Sequence, residues 1–126
     1  MIFGIGTDIL DRERLDRGLD AAFIRRAYTD AERLQAAQRY DPAAYYATRF
    51  AAKEAVFKAI SACVTDFRPQ DIETLSDKHG KPNVFLHGKT AEEVDAHLAG
   101  REYSILVSLS CEDKTAIAYA VIDAAQ

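Results

Sequence analysis

At 126 residues, with 48% apolar and 29% charged side chains, the chain has the composition of one soluble globular domain, 1–126, with a real hydrophobic core. Its longest apolar runs, such as Ile105-Leu106-Val107, are far too short to cross a bilayer, and Met1–Leu10 has no basic leader of the secretory kind. A net charge of −4 argues against nucleic acid as a partner, and two distant cysteines, Cys63 and Cys111, read as reduced thiols of a cytoplasmic protein.

Met1–Leu10 reads as a strand with Gly4 and Gly6 in its interior, a pattern that marks a bulge or a close backbone approach near Asp8. Three helical segments follow: a short one from Asp11 to Gly18, one capped by Asp20 over Ala21–Tyr28, and one to about Tyr40. The third opens with the capping-box spacing Thr29-Asp30-Ala31-Glu32. Asp41-Pro42 is a strong start signal for the longest helix, which the pattern carries to about Ala62, with Tyr46, Phe50, Phe57 and Ile60 on one stripe. Lys53 falls on the margin of that stripe, and Glu54 and Lys58, four apart, share an adjacent face.

The second half alternates. Asp71–Ser76 and Asn83–His87 form a hairpin around Lys78-His79-Gly80-Lys81-Pro82. A second capping-box spacing at Thr90-Ala91-Glu92-Glu93 starts a helix that Gly100 closes. Tyr103–Ser110 and Thr115–Ile122 are the last two strands. Condensed, the order is β-ααα-ββ-α-ββ, an α+β domain whose largely antiparallel sheet packs on the long helix.

Charge is uneven along the chain: residues 1–60 carry ten basic and nine acidic side chains, residues 61–126 six and eleven. Arginines crowd the early helices, which suggests an acidic partner, unless neighbouring acids neutralise them as on any solvated helix face. Asp8 and Glu54 are the informative acids, because each sits in a largely apolar segment where an unpaired charge is costly. Taken singly, each has an ordinary explanation, a strand-end acid and a surface helix pair with Lys58. Together they form the kind of pair that holds Mg²⁺, a cation content with one or two carboxylates plus phosphate oxygens and water. Arg49, Lys53 and Lys58 would then neutralise phosphate. His87 and His97 show no partner pattern and read as surface or edge residues, and the pattern assigns His79, in the hairpin, no role.

Gly4-Ile5-Gly6-Thr7-Asp8-Ile9 and Phe50-Ala51-Ala52-Lys53-Glu54-Ala55…Lys58-Ala59 resemble the paired signatures of the 4′-phosphopantetheinyl transferases of the small, holo-acyl-carrier-protein synthase type. Thr29–Glu32, the Lys78–Pro82 hairpin and Ser108-Leu109-Ser110 resemble that family's intervening motifs, in order. The resemblance implies transfer of phosphopantetheine from coenzyme A to a serine of an acyl carrier protein. Asp8 and Glu54 would hold Mg²⁺, Lys58 would stabilise the transferring phosphoryl group, and Glu54 or a metal-bound water would take the serine proton. Arg49, Lys53, Lys81, Pro82 and Ser110 would contact coenzyme A, and Arg14 and Arg25 would dock the carrier. A homotrimer with intersubunit sites is implied too; the alternating Ala116, Ala118 and Ala120 suit either close packing between subunits or an ordinary small-residue sheet face. Two departures bear on coenzyme A affinity: Ser61-Ala62-Cys63 stands where the family has Gly-Thr-Gly, and Cys111 where it has His. The other readings are a non-catalytic relative that keeps the carrier surface but binds coenzyme A poorly, and a different phosphotransferase on the same scaffold.

Overall fold

A computed structural model describes residues 1–126. Strand β1 (Ile2–Asp11) is followed by helices α1 (Arg12–Gly18), α2 (Ala21–Ala27), α3 (Asp30–Ala37) and α4 (Pro42–Ala59). A 3₁₀ turn (Pro69–Asp71), β2 (Ile72–Ser76), β3 (Pro82–Leu86), α5 (Gly88–Leu98), β4 (Tyr103–Cys111) and β5 (Thr115–Ala124) complete the chain. The domain is α+β as expected, and all four helical segments read before the hairpin are present, one more than the condensed order counts. Asp11 accepts hydrogen bonds from the N–H groups of Glu13 and Arg14 and caps α1.

The strands form two antiparallel sheets, one in the order β1-β5-β4 and one of β2 with β3. Helix α4 lies across the three-stranded sheet. The face it turns to the sheet is not the aromatic stripe but small residues, with Ala47, Ala51, Ala52, Ala55, Val56 and Ala59 all in the core. Opposite them, Ala116, Ala118 and Ala120 of β5 are buried. The expectation that these three alanines pack between subunits is therefore overturned: alternation along β5 points them at α4, and Ile117, Tyr119 and Val121 point outward. The aromatic stripe instead meets α2 and the loop after α4, where the rings of Phe23, Phe50, Phe67 and Phe57 touch in succession.

Gly4 and Gly6 set the distance between strand and helix. A Cβ on Gly4 would lie 1.9 Å from the carbonyl oxygen of Ala59, and one on Gly6 1.9 Å from that of Ala55. Two strand residues span about 6.6 Å and four helical residues about 6 Å, so a Gly-x-Gly strand stays in step with an i, i+4 row of a helix running the other way. Asp8 is the next residue on that inward face, one turn nearer the start of α4.

Several boundaries differ from the sequence pattern. Helix α3 ends at Ala37 and α4 at Ala59, where Ile60 and the turn through Cys63 use up the last carbonyls. Helix α5 begins at Gly88, before the Thr90-x-x-Glu93 spacing. Its first turn is capped from outside by the Asp71 carboxylate, which accepts from the N–H and hydroxyl of Thr90 at 3.1 and 2.9 Å. No helix is long and apolar enough to cross a membrane.

Gly6→Ala should destabilise the fold by about 3 kcal/mol, because helix backbone rather than a side chain must yield. The thermal midpoint should fall by roughly 10 °C. Gly18→Ala, with nothing within 4 Å of the new methyl group, is the control and should unfold like the parent. Equal melting of all three proteins would show that β1 and α4 are not in backbone contact.

Candidate functional site

Asp8 and Glu54 meet at the junction of β1 and α4. Asp8 is buried, Glu54 half-buried. The Asp8 Oδ1 accepts a hydrogen bond from Lys58 Nζ at 3.2 Å, and the same ammonium donates to the Thr7 carbonyl at 2.9 Å. The other Asp8 oxygen, Oδ2, is buried and has no hydrogen-bond partner. The Glu54 carboxyl is pushed above the usual carboxylate range, first by burial and then by the charge of Asp8, with Lys58 pulling the other way. Two acids this close, one with an orphaned oxygen, are held together against their repulsion by the fold.

The donor set fits a hard cation. Both groups are carboxylates, and the orphaned oxygen is the atom such an ion would take. No group of three or more His, Cys, Asp or Glu side chains gathers anywhere in the chain, so a cation here would draw its remaining ligands from water and substrate oxygens. Lys58 is half exposed at its tip and uses two of its three N–H donors inside the protein, leaving one for an anion.

Lys53 does not join this site, and its expected contact with substrate phosphate is corrected. Its ammonium is fully buried, donating to both oxygens of Glu32 at 2.8 and 2.9 Å and to the carbonyls of Pro69 and Ile72 at 2.8 and 2.7 Å. Lysine 53 follows the i, i+4 row to the opposite side of α4 from the sheet, where α3 supplies its counter-ion. Glu32 thus serves three ways: it completes the Thr29 capping box, balances Lys53 and accepts the N–H of Thr74. Burial lowers the Lys53 ammonium from its ordinary value, and Glu32 opposes that shift.

A second group of expected residues gathers in a cleft of about 370 Å³ beside the middle of α4, where Arg49, Pro82 and Ser110 meet with Cys111. Arg39, Thr48, Ser76 and Ser108 line it as well, and the sequence pattern did not point to them in this role. Ser108 sits in the Ser-x-Ser motif and was within reach. Arg39, past the end of α3, has no periodic signal. Lys81 lies on the adjoining hairpin with its side chain exposed and is not part of the cleft wall. Five residues along a helix turn through about 140°, so Arg49 and Glu54 address different faces of α4 and the two groups are separate within one chain.

Among the early arginines, Arg12, Arg17 and Arg33 pair with carboxylates, whereas Arg14 and Arg25 are exposed and unpaired. His87 is exposed, as expected, yet it does have a partner, Glu73 Oε1 at 3.0 Å. Cys63 and Cys111 are free thiols.

A family model of the 4′-phosphopantetheinyl transferase superfamily matches residues 4–119. The chain belongs to that superfamily. The holo-[acyl-carrier-protein] synthase of Magnetococcus marinus is 41% identical over 98% of this chain and 94% of its own length. The crystal structure of the holo-[acyl-carrier-protein] synthase from Neisseria meningitidis is 34% identical, with a TM-score of 0.81 over 98% of this chain and 99% of that one. The structure of the Bacillus anthracis synthase in complex with coenzyme A (3′,5′-ADP) is 30% identical, with a TM-score of 0.77 over 99% of each chain. Membership of this superfamily accounts for the fold from end to end.

Lys53→Met should cost about 3–5 kcal/mol, because it leaves Glu32 charged and alone in the core. Adding Glu32→Leu should recover part of that loss in a chemical denaturation experiment, since an apolar pair can replace a buried ion pair while the N–H groups of Thr29 and Thr74 lose their acceptor. A single variant as stable as the parent would show that Lys53 reaches solvent.

Proposed function

We propose that the chain transfers the 4′-phosphopantetheine group from coenzyme A to a serine of an apo-acyl carrier protein, releasing adenosine 3′,5′-bisphosphate, with Mg²⁺ held by Asp8 and Glu54. The observation that carries this reading is the half-buried acid pair with one orphaned oxygen, beside Lys58, in a chain of this superfamily. A chain that kept only the carrier-binding surface would have no use for two carboxylates pressed together in this way.

The serine oxygen forms a bond to the pantetheine-side phosphorus while the bond to the adenosine-side phosphate breaks. Mg²⁺, when bound, neutralises charge on the pyrophosphate. Lys58 presents its free N–H to the phosphoryl oxygens, pre-aimed by Thr7 and Asp8, so little reorganisation accompanies charge development. Glu54, or a water beside it, would accept the serine proton, from the half-buried place it shares with Asp8 and Lys58. Arg49, Pro82 and Ser110 hold coenzyme A from the second cleft, with Lys81 above it on the hairpin. Arg14 and Arg25 are free of carboxylates and available to steer an acidic carrier. The setting is cytoplasmic, where coenzyme A and carrier proteins meet.

One chain places its two clusters on different faces of α4, so a single coenzyme A bridges them only if a neighbouring subunit supplies one of them. The outer face of the three-stranded sheet supports such an assembly: Ile5 is 71% exposed, Ile9 69%, Tyr119 58% and Leu106 52%. Large apolar side chains exposed together in this way mark an interface. A closed head-to-tail ring gives every subunit the same complete site, and three is the number that the family resemblance implies.

Incubation with coenzyme A, Mg²⁺ and an apo-carrier protein should add the phosphopantetheine mass to the carrier. Asp8→Asn and Glu54→Gln should each lower the rate by at least about a hundredfold while melting near the parent temperature, since each relieves a repulsion. Near-normal turnover by either variant would remove the acid pair from the mechanism. In the same assay Arg14→Glu should raise KM for the carrier and leave that for coenzyme A unchanged.

Light scattering should give three chains per particle, and Leu106→Asp on the outer sheet face should give inactive single chains. A fully active monomer would contradict intersubunit sites.

A further inference from the structure

A line of hydrogen bonds runs from the buried Lys53 to the surface and ends on a histidine. Glu32, which takes the Lys53 ammonium, also accepts the Thr29 N–H at 2.9 Å. The Thr29 hydroxyl accepts the Glu32 N–H at 3.2 Å and donates to Glu73 Oε2. The other Glu73 oxygen, Oε1, meets His87 Nε2 at 3.0 Å. One carboxylate therefore joins three elements: Thr29 caps α3, Glu73 stands in β2, and His87 directly precedes α5. The chemistry proposed above uses neither Glu73 nor His87.

Charges along this line cancel only when His87 is protonated. Lys53 and Glu32 are both fully buried and balance one another. Glu73 adds a second negative charge on a side chain that is only 13% exposed, and its one ion-pair partner is His87. The imidazole is 50% exposed and can exchange a proton with water. Asp71 is the other acid at this corner. Its carbonyl accepts the His87 N–H at 2.8 Å and its carboxylate is committed to Thr90, which leaves Nε2 to Glu73. Burial works to raise the Glu73 carboxyl, but hydrogen bonds from Thr29 and His87 outweigh it and hold the group below the usual carboxylate range. Glu73 thus stays ionised in mild acid, and imidazoles as a class change charge between about pH 5 and 8. A neutral imidazole gives an ordinary hydrogen bond, whereas a protonated one gives a charge-assisted bond roughly twice as strong.

We propose that Thr29, Glu73 and His87 form a proton-operated latch that fastens the start of α3 to β2 and α5, tight when His87 is protonated and slack when it is neutral. The added stability is full where the imidazole is charged and Glu73 ionised. It is lost as pH rises and the imidazole gives up its proton, and lost again in strong acid once Glu73 takes one. The latch sits at the corner between α2 and α3, where Gln70 also donates to the carbonyls of Arg25 and Tyr28. Slackening it loosens the seat of Arg25, a consequence that rests on the carrier-docking role proposed for that residue; the latch itself does not.

Thermal unfolding of the parent, His87→Gln, Glu73→Gln and the double variant, at about pH 5.5 and about pH 8.5, tests the latch. Both substitutions keep a hydrogen-bonding group, and His87 is exposed, so each variant should fold. At the lower pH His87→Gln should melt about 2–4 °C below the parent, and at the higher pH within about 1 °C of it. In the Glu73→Gln background the same substitution should make no difference at either pH, which ties the effect to this pair. Equal melting of His87→Gln and the parent at both pH values, or a loss of the same size at both, overturns the latch. So does a pH-dependent loss that persists in the Glu73→Gln background. The carrier KM of His87→Gln should exceed that of the parent at the lower pH only; a KM unchanged at both, with the melting difference present, supports the latch and removes Arg25 from its consequences.

Discussion

The backbone contact between β1 and α4 is the constraint on which the rest depends. Side chains normally hold a helix about 10 Å from a sheet, and here two glycines and a row of alanines remove them. The close approach has two consequences. It commits both inner faces to small residues, which explains an alanine-rich helix with little aromatic contact to the sheet. It also carries Asp8, the next inward residue of β1, to the side of Glu54, so that two carboxylates meet at a place where neither reaches open water freely.

The chain contains three buried or half-buried charge clusters, and they are resolved differently. Lys53 and Glu32 satisfy each other completely, together with two carbonyls and a backbone N–H, and nothing is left over for a ligand. That cluster joins α3, α4 and β2. Asp8 retains an orphaned oxygen, and Arg49 an orphaned Nε in a cleft that lacks any acid. One incomplete cluster calls for a cation and the other for an anion. On the proposed reading, a magnesium ion and a nucleotide with three phosphates would satisfy both together, in a site completed by a neighbouring subunit.

Much of this was legible in the chain. Glycine inside a strand signalled close approach, Asp41-Pro42 signalled the start of α4, and Asp8, Glu54 and Lys58 could be grouped from residue type and spacing. What was not legible depended on which way a side chain turns. Periodicity placed Lys53 at the margin of an apolar stripe but could not say that α3 held a counter-ion for it, because Glu32 was already explained as a capping-box residue. The alanines of β5 alternate correctly, and only the position of α4 decides which face is inside. Asp71 caps α5 from nineteen residues before Thr90, a contact no local pattern reveals. Arg39, from the connection after α3, and Ser76, from the end of β2, meet only after the hairpin folds over α4.

The most direct test of the central claim is anomalous diffraction from crystals grown with Mn²⁺ and adenosine 3′,5′-bisphosphate, using Mn²⁺ as the stand-in for Mg²⁺. The account predicts one metal peak per chain, within coordination distance of Asp8 Oδ2 and a Glu54 oxygen, with the remaining ligands drawn from water and phosphate. A peak bound elsewhere, or a fully occupied nucleotide with no metal between Asp8 and Glu54, would contradict it.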